Sequence, residues 1–180
     1  MWQLTKDFNN NDKKLYIRNG GDYRVVLDCI LVLNDSSLTD IEKLNCCLLI
    51  FYENYQDITD FEKAISDMYS FISYNDENEN KNSPKLMDWE QDFKLIVSPI
   101  SRVIGTEVRS LNYLHWWSFL SAYMEIGDCL FNQVVTIRSK KKSGKKLTKE
   151  EEKFYRDNYK MVKLKEKLTL EEEDWLNFRK

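Results

Sequence analysis

The only histidine of this 180-residue chain, His115, is the side chain best suited to act as a base or a metal ligand near neutral pH. It stands in the run Leu114-His115-Trp116-Trp117, and no partner with metal-ligand spacing accompanies it. We therefore interpret His115 as a polar position on a core helix, with a catalytic or metal-binding role as the less favoured alternative.

The four cysteines are the second set of reactive side chains. Two of them are adjacent, each of the four lies within an apolar run, and none forms the CxxC pair of a redox or zinc site. This pattern is typical of buried free thiols in a reducing cytosol rather than of a disulfide framework. The residues are Cys29, Cys46, Cys47 and Cys129.

The sequence contains no motif of a nucleotide-binding loop, a dinucleotide-binding turn, a zinc protease or a serine hydrolase. Acidic residues are numerous, but they stand mostly at helix starts or in one polar segment, and no pair of carboxylates is set apart for acid–base chemistry. We therefore expect no enzymatic activity, no catalytic or metal-binding residues and no cofactor.

Five lysines crowd the segment Arg138–Lys146, and we expect a basic loop over residues 138–147. Such a cluster can neutralise several phosphates, yet no aromatic side chain is interleaved among the lysines for base stacking, and the chain carries a net charge of −3. A solvated loop or a contact with another protein is favoured over binding to nucleic acid. The lysines are Lys140, Lys141, Lys142, Lys145 and Lys146.

Charge is distributed unevenly along the chain. Asn34–Asp92 contains 14 acidic and 4 basic residues, whereas Phe93–Leu170 contains 8 acidic and 16 basic ones. The two segments either attract each other or face different partners, with two solvated faces as the alternative.

The elements that must position these side chains are helices. Glycine (5 residues) and proline (2 residues) are scarce, while charged residues make up 32% and hydrophobic residues 42% of the chain, which is typical of long amphipathic helices. The pattern Thr-x-x-Glu, in which the two side chains cap the first turn reciprocally, predicts four helix starts. The pairs are Thr39 with Glu42, Thr59 with Glu62, Thr148 with Glu151, and Thr169 with Glu172.

Apolar residues at helical spacing predict which helix faces are buried. A first helix is expected from Asp22 to Leu33, and a fourth over Trp89–Ile104 with a kink or break near Val97, because Pro99 removes an amide donor. Gly105 predicts the end of that helix. The buried stripes of the second and third helices are expected to be Ile41, Leu44, Leu48, Phe51 and Tyr55, and Phe61, Ile65, Met68 and Ile72.

The segment Leu111–Ile137 is apolar nearly all round and predicts a central helix on which the others pack. Trp116 and Trp117 project about 100° apart on such a helix. We therefore expect Trp117 in the core, on a face shared with Leu114, Leu120 and Met124, and Trp116 toward a neighbouring helix or a partner. Core packing is favoured for the aromatic stripe, with a partner-binding groove as the alternative. The candidate partner-binding residues are Trp116, His115, Tyr123, Lys140, Lys141 and Lys142.

Together these patterns predict an all-α, single-domain helical bundle over residues 1–180 around the central apolar helix. The alternation at Leu15–Arg18 is compatible with a short N-terminal strand or hairpin arm. The longest apolar stretch is interrupted by Glu125 and Asp128 and the start has no apolar core, so we expect neither a membrane span nor a signal peptide. The remaining expected segments are an irregular arm at 1–14, a mobile polar loop at 75–86 and a C-terminal helical extension at 169–180.

Three stretches resemble the bacteriophage gene product fifteen family, whose members are small helical proteins of long-tailed phages that are usually encoded beside the tape-measure gene. The resemblance extends from about Leu15 to Leu164 and includes the basic segment before Leu147, whereas the Asn-rich start and Glu171–Lys180 are extensions. The stretches are Asp92–Val97, Leu114–Leu120 and Phe154–Arg156.

This resemblance implies a tail assembly chaperone that binds the hydrophobic tape-measure protein and helps recruit tail-tube subunits in the bacterial host cytoplasm. It supplies no catalytic residues. A long apolar helix aggregates unless it is covered, and a helical protein with an aromatic groove can cover it, with many copies, or a homo-oligomer, supplying avidity. Two alternatives are an inhibitor that binds one host protein and, less favoured, a nucleic-acid-binding accessory protein.

Overall fold

The structure is a computed structural model, and it describes residues 3–74 and 84–165. Eight α-helices and one two-stranded sheet make up the regular structure of these residues, which confirms the prediction of an all-α fold with a short N-terminal β-arm. Most of the polar loop expected at 75–86 lies outside the described residues. The helical extension expected at 169–180, with its pair Thr169 and Glu172, lies outside them entirely.

Internal packing divides the chain into two compact units. The first comprises Met1–Glu79, Asn112–Leu120 and Lys167–Lys180, and the second comprises Asn80–Leu111 and Ser121–Glu166. The expectation of one helical domain over 1–180 stays a prediction. Within the described parts of both units, no helix combines the length and the apolarity that crossing a bilayer requires.

The first unit begins with an antiparallel hairpin, β1 (Asp7–Asn10) and β2 (Lys13–Tyr16). The irregular arm predicted for 1–14 is therefore wrong from Asp7 onward. One cause is the buried side chain of Asn10, whose amide oxygen accepts hydrogen bonds from the backbone amides of Thr59 and Asp60, both at 2.9 Å. These bonds fix the Asn-rich segment against a loop that the sequence places far away.

Three helices complete the regular structure that lies wholly within the first unit: α1 (Tyr23–Leu33), α2 (Asp40–Phe51) and α3 (Phe61–Ile72). The predicted cap of α2 is confirmed, because Thr39 and Glu42 cap each other's backbone amides. The predicted cap of α3 is wrong by one residue. Asp60 accepts from the amide of Lys63, while the hydroxyl of Thr59 lies 2.9 Å from the side-chain oxygen of Asn10.

The buried faces of α2 and α3 differ from the predicted stripes. Ile41 is 74% exposed and Phe61 is 51% exposed, and Tyr55 lies beyond the end of α2. The α3 helix is instead oriented by Phe71, whose ring contacts those of Phe8, Phe51 and Trp117. The residues buried on the two helices are Cys47, Leu48 and Phe51, and Ala64, Met68 and Phe71.

The next helix, α4 (Trp89–Ile104), belongs to the second unit and continues through Pro99, so the break expected near Val97 is wrong. Proline has no amide hydrogen, so one backbone hydrogen bond of the helix is missing at position 99. The helix offsets this loss by caps at both ends and by a buried face that includes Pro99 itself. Asp88 accepts from the amide of Gln91 at the start, and Gly105 ends the helix as predicted, in a left-handed conformation with φ of 83°.

The predicted central helix over Leu111–Ile137 is wrong, because the segment contains two helices, α5 (Trp116–Met124) and α6 (Leu130–Lys142). Residues 111–115 are not helical, and Gly127, with φ of 60°, lies in the break between the helices. The first residues of α5 belong to the first unit and those from Ser121 to the second.

The basic loop predicted for 138–147 is helical as far as Lys142, because α6 extends that far. Two further helices follow, α7 (Lys149–Asp157) and the short α8 (Tyr159–Val162). The cap predicted for α7 is confirmed by the reciprocal hydrogen bonds of Thr148 and Glu151.

A buried ion pair connects the helices of the second unit. The guanidinium of Arg138 donates to both carboxylate oxygens of Asp92, at 2.6 and 2.9 Å. Its remaining bonds go to the backbone carbonyls of Leu86, Met161 and Val162 at 2.6 to 3.0 Å. One side chain on α6 thereby holds α4, α8 and the segment before α4, and its burial explains why Arg138 is not part of a solvated loop.

We predict that Asp92→Asn destabilises the protein by about 3–5 kcal/mol, because it leaves the guanidinium of Arg138 buried without a counter-charge while keeping the side-chain volume. The free energy of unfolding in denaturant measures the effect. The matched control is Asp7→Asn, which removes the exposed pair of Asp7 with Lys14 and should cost less than about 1 kcal/mol. Equal costs for the two variants would contradict the structural role of the buried pair.

Candidate partner-binding site

The run that contains the histidine and the two tryptophans is hydrogen-bonded to the start of α1 within the first unit. The backbone amide of Tyr23 donates to the carbonyl of Leu114 at 2.9 Å, and the amide of Trp116 donates to the carbonyl of Gly21 at 2.8 Å. The carboxylate of Asp22 accepts from the amide of Leu114 at 2.9 Å. These bonds join two segments that are about ninety positions apart in the sequence.

Glycine is required at position 21 for two reasons. Its φ is +82°, which side-chain-bearing residues rarely adopt. A Cβ atom there would also lie 2.8 Å from Cζ of Phe71 and 3.1 Å from Nε2 of His115. The backbone of Gly21 therefore packs directly against both rings.

His115 is buried, at 1% exposure, and both of its ring nitrogens are hydrogen-bonded. Nε2 lies 2.9 Å from the carbonyl oxygen of Thr5, and Nδ1 lies 3.1 Å from the backbone nitrogen of Trp117. Because a carbonyl only accepts and an amide only donates, the proton is on Nε2 and the ring is neutral. Burial lowers the pKa of His115 below its ordinary value, and the nearby charge of Lys6 lowers it further, against the opposing effect of the Thr5 bond.

The two tryptophans are placed the opposite way from the sequence prediction. Trp116 is 2% exposed, and its indole nitrogen donates to the carbonyl of Ile72 at 2.9 Å. Trp117 is half-buried, and its indole nitrogen donates to the carbonyl of Phe71 at 3.0 Å. Of the two placements expected for Trp116, the one toward a partner is wrong, because the ring is buried and donates to the neighbouring helix α3.

The reversal follows from where the helix begins. The prediction assumed one helix through Leu114, so that Trp117 shared a buried face with Leu114, Leu120 and Met124. In the structure Leu120 is buried, but Leu114 precedes α5 and Met124 is 65% exposed, so these residues do not form one buried face.

Tyr123 lies in the second unit, within side-chain packing. Its hydroxyl donates to the sulfur of Met87 at 3.2 Å, and its ring lies 5.2 Å from that of Trp89 and 6.0 Å from that of Phe131. Burial is the main cause that raises the pKa of Tyr123, with the charge of Asp92 adding to it. These contacts leave its hydroxyl engaged inside the unit.

The three candidate lysines have three different environments. Lys140 donates to both carboxylate oxygens of Glu151, at 2.6 and 2.8 Å, and this pairing is the main cause that lowers the pKa of Glu151. Lys141 lies over the ring of Tyr155, with its nitrogen 4.0 Å from the ring centroid. Lys142 is exposed. Only the last two present positive charge to a partner.

Lys141 belongs to a line of contacts that we name the basic–aromatic row: Lys141, Tyr155, Tyr159 and Lys163. The two tyrosine rings meet edge to face at 5.5 Å, and the nitrogen of Lys163 lies 6.0 Å from the Tyr159 ring centroid. Sequence reasoning missed the row because it looked for aromatics among the lysines of one segment. The spacing of four between Tyr155, Tyr159 and Lys163 is the signal that could have found it.

A second exposed feature, the α3 apolar row, consists of Phe61, Ile65 and Tyr69. These residues are spaced by four along α3, and Phe61 and Tyr69 are 51% and 42% exposed. Partial burial is the main cause that raises the pKa of Tyr69, and the charges of Cys47 and Asp40 raise it further. The sequence pattern revealed the spacing but assigned Phe61 and Ile65 to the core.

All four cysteines are free thiols. Cys29 and Cys47 are buried between α1 and α2, where the thiol of Cys47 donates to the carbonyl of Cys29 at 3.5 Å. Cys46 and Cys129 are half-buried. Over residues 3–74 and 84–165 no group of three histidine, cysteine or acidic side chains is arranged to hold a metal ion.

The family model described as "Bacteriophage Gp15 protein" matches residues 4–167 of the chain. This range contains all eight helices of the described residues and the N-terminal hairpin. The comparisons with curated proteins and with solved structures give no match.

We predict that Trp116→Ala lowers the free energy of unfolding by about 3–5 kcal/mol, because it empties a fully buried indole site and leaves the carbonyl of Ile72 without its donor. Trp117→Ala should cost less, because that ring is only half-buried. Denaturant titration followed by circular dichroism measures both. A larger loss for Trp117→Ala would restore the placement expected from sequence and contradict the structure.

We predict that stability falls as the pH decreases below about 6.5, the ordinary pKa of histidine. The folded state holds His115 with a lowered pKa, so the unfolded chain takes up the proton first and gains population as the pH falls toward the folded-state pKa. Since His115 is the only histidine, His115→Gln should flatten the dependence of unfolding free energy on pH between about 7.5 and 5.5. The same slope in both proteins would show that another group is responsible.

Proposed function

The chain belongs to the bacteriophage Gp15 protein family, and from this premise we propose that it is a tail assembly chaperone. In this role it binds the tape-measure protein in the host cytoplasm before the tail tube encloses it, and it helps to recruit tail-tube subunits. The protein is then a binding protein, and its function depends on surfaces rather than on a catalytic centre.

The observation on which this proposal rests is the α3 apolar row. Three large side chains at a spacing of four form a straight apolar ridge along one helix, and two of them are about half exposed. An amphipathic helix of a partner can pack its apolar stripe alongside these three positions, which are i, i+4 and i+8 of α3. A tape-measure protein is a long helix with apolar positions, so it offers the complementary stripe repeatedly along its length.

The charges beside the row favour one kind of helix. Glu62 follows Phe61 on the exposed side of α3. The carboxylate of Asp40 raises the pKa of Tyr69 at the other end of the row, although it also lies 3.9 Å from the ammonium group of Lys43. A helix with basic residues beside its apolar stripe is attracted here, whereas an acidic one is repelled.

The small size of the row suits reversible binding. Three side chains bury too little area for tight binding by one copy. Several copies along one long partner increase the apparent affinity, and each copy can still dissociate when the tail tube assembles.

We predict that the double variant Phe61→Ser/Tyr69→Ser weakens capture of tape-measure fragments from the same phage by about tenfold or more, because it removes most of the apolar area of the row. The melting temperature should change much less than the affinity, since both side chains are about half exposed. Fluorescence anisotropy with labelled fragments measures the affinity. The matched control, Leu31→Ser/Tyr16→Ser, removes exposed apolar side chains elsewhere in the same unit.

One result would contradict the proposed function, and a different result would contradict only the choice of the α3 apolar row as the site. If the unaltered protein binds no tape-measure fragment, the proposed function is wrong. If it binds and the two double variants weaken binding equally, the function stands but the α3 apolar row is not the site.

A further inference from the structure

The second unit has positive charge on its surface that no other described residue neutralises. Among residues 84–165 the inward-facing bases have acidic partners, Arg138 with Asp92 and Lys140 with Glu151. The outward-facing ones of residues 141–163 make no ion pair with another residue of the described part of the chain, whereas Lys85 and Arg109 pair with Asp88 and Glu107. They are Lys141, Lys142, Lys145, Lys146, Lys149, Lys153, Arg156, Lys160 and Lys163. Such a surface concentrates anions near it.

The basic–aromatic row is the ordered part of this surface. The ring of Tyr155 packs on one side against the core of Val134, Ile137 and Val162, and on the other it lies under the ammonium group of Lys141. The attraction between the ammonium and the ring holds Lys141 at 4.0 Å without neutralising its charge. Less side-chain entropy is therefore lost when Lys141 binds an anion than for a freely moving lysine.

The hydroxyl groups of the row are hydrogen-bond donors as well. Neither the hydroxyl of Tyr155 nor that of Tyr159 has a hydrogen bond to another described residue, whereas the hydroxyls of Tyr52, Tyr113 and Tyr123 each do. The row thus presents two ammonium groups at its ends and two phenol groups between them, all of which donate to oxygen acceptors.

We propose that the basic–aromatic row binds an acidic segment of a partner polypeptide, whose carboxylates accept hydrogen bonds from Lys141, Tyr155, Tyr159 and Lys163. This goes beyond the proposed function, because it concerns a second partner surface with a different chemistry from the α3 apolar row. Carboxylates fit because each is a separate charge that accepts from both ammonium and phenol groups.

Two features favour an acidic polypeptide over nucleic acid. The Tyr155 ring packs against the core and lies under the ammonium group of Lys141, so of the two rings only Tyr159, which is 46% exposed, is open for base stacking. Acidic side chains also interrupt the basic surface, since Glu150, Glu152 and Asp157 are exposed on α7 among its basic residues. A continuous phosphate backbone would be repelled by them, whereas separate carboxylates can avoid them.

The test uses the full-length protein and a fluorescein-labelled peptide of consecutive glutamates, with fluorescence anisotropy at low ionic strength. The variant Lys141→Glu/Lys163→Glu should weaken binding by about tenfold or more, because two attractions become repulsions. The matched control Lys94→Glu/Lys153→Glu makes the same change in net charge at exposed lysines of the same unit. Lys153 and Tyr155 project about 160° apart on α7, so the control should weaken binding much less.

Two further measurements distinguish the row from general charge attraction. Tyr155→Phe/Tyr159→Phe keeps the rings and removes only the hydroxyls, so it should weaken peptide binding several-fold with an unchanged circular dichroism spectrum. A peptide of consecutive glutamines should not bind.

Three outcomes would overturn the proposal. The first is that the glutamate peptide fails to bind. The second is that the two lysine variants weaken binding equally, which would indicate diffuse charge attraction. The third is that oligothymidylate binds more tightly than the peptide and with the same dependence on Lys141 and Lys163, which would make the row a nucleic-acid surface. None of these outcomes bears on tape-measure binding, because the α3 apolar row is untouched in every variant.

Discussion

The constraint on which both units depend is that a polar group removed from water must find its partner inside the protein. In the described part of the chain no buried polar side-chain atom lacks a hydrogen bond. In the first unit this fixes His115 between Thr5 and Trp117, and in the second it fixes Arg138 against Asp92 and three carbonyls. Each of these side chains bonds to more than one segment of the chain and so fixes those segments relative to one another within its unit.

This constraint explains why His115 and Trp116, which lie in one of the stretches that indicated the family, offer no surface to a partner. Gly21 must be glycine, and His115 and Trp116 must be buried, because the backbone bonds between their segments leave no room for alternatives. Such residues identify a fold. The α3 apolar row and the basic–aromatic row leave side chains in solvent for no reason that the packing of the units supplies. They are therefore the better candidates for binding.

The features that could be predicted from the sequence are those that depend only on neighbouring residues. The caps at Thr39 and Thr148 and the helix end at Gly105 are set within one turn, and all three are confirmed. The cap at Thr59 was missed because Asn10, distant in sequence, engages its hydroxyl. Likewise the rotation of α3 depends on what Phe71 contacts, and the placement of the tryptophans on where α5 begins. The site predictions failed at these tertiary contacts, because local periodicity contains no information about them.

The two exposed rows differ in how they would respond to the solution around them, and this difference bears on how a phage protein could handle two partners. Binding at the α3 apolar row gains from removing apolar surface from water, which salt does not screen. Binding at the basic–aromatic row gains from attraction between charges, which falls as the ionic strength rises, since the Debye length at physiological salt is only about 8 Å. An apolar helix would be held at one row over a wide range of salt, while an acidic segment at the other would exchange readily. Raising the ionic strength should therefore weaken binding at the basic–aromatic row and leave binding at the α3 apolar row largely unchanged.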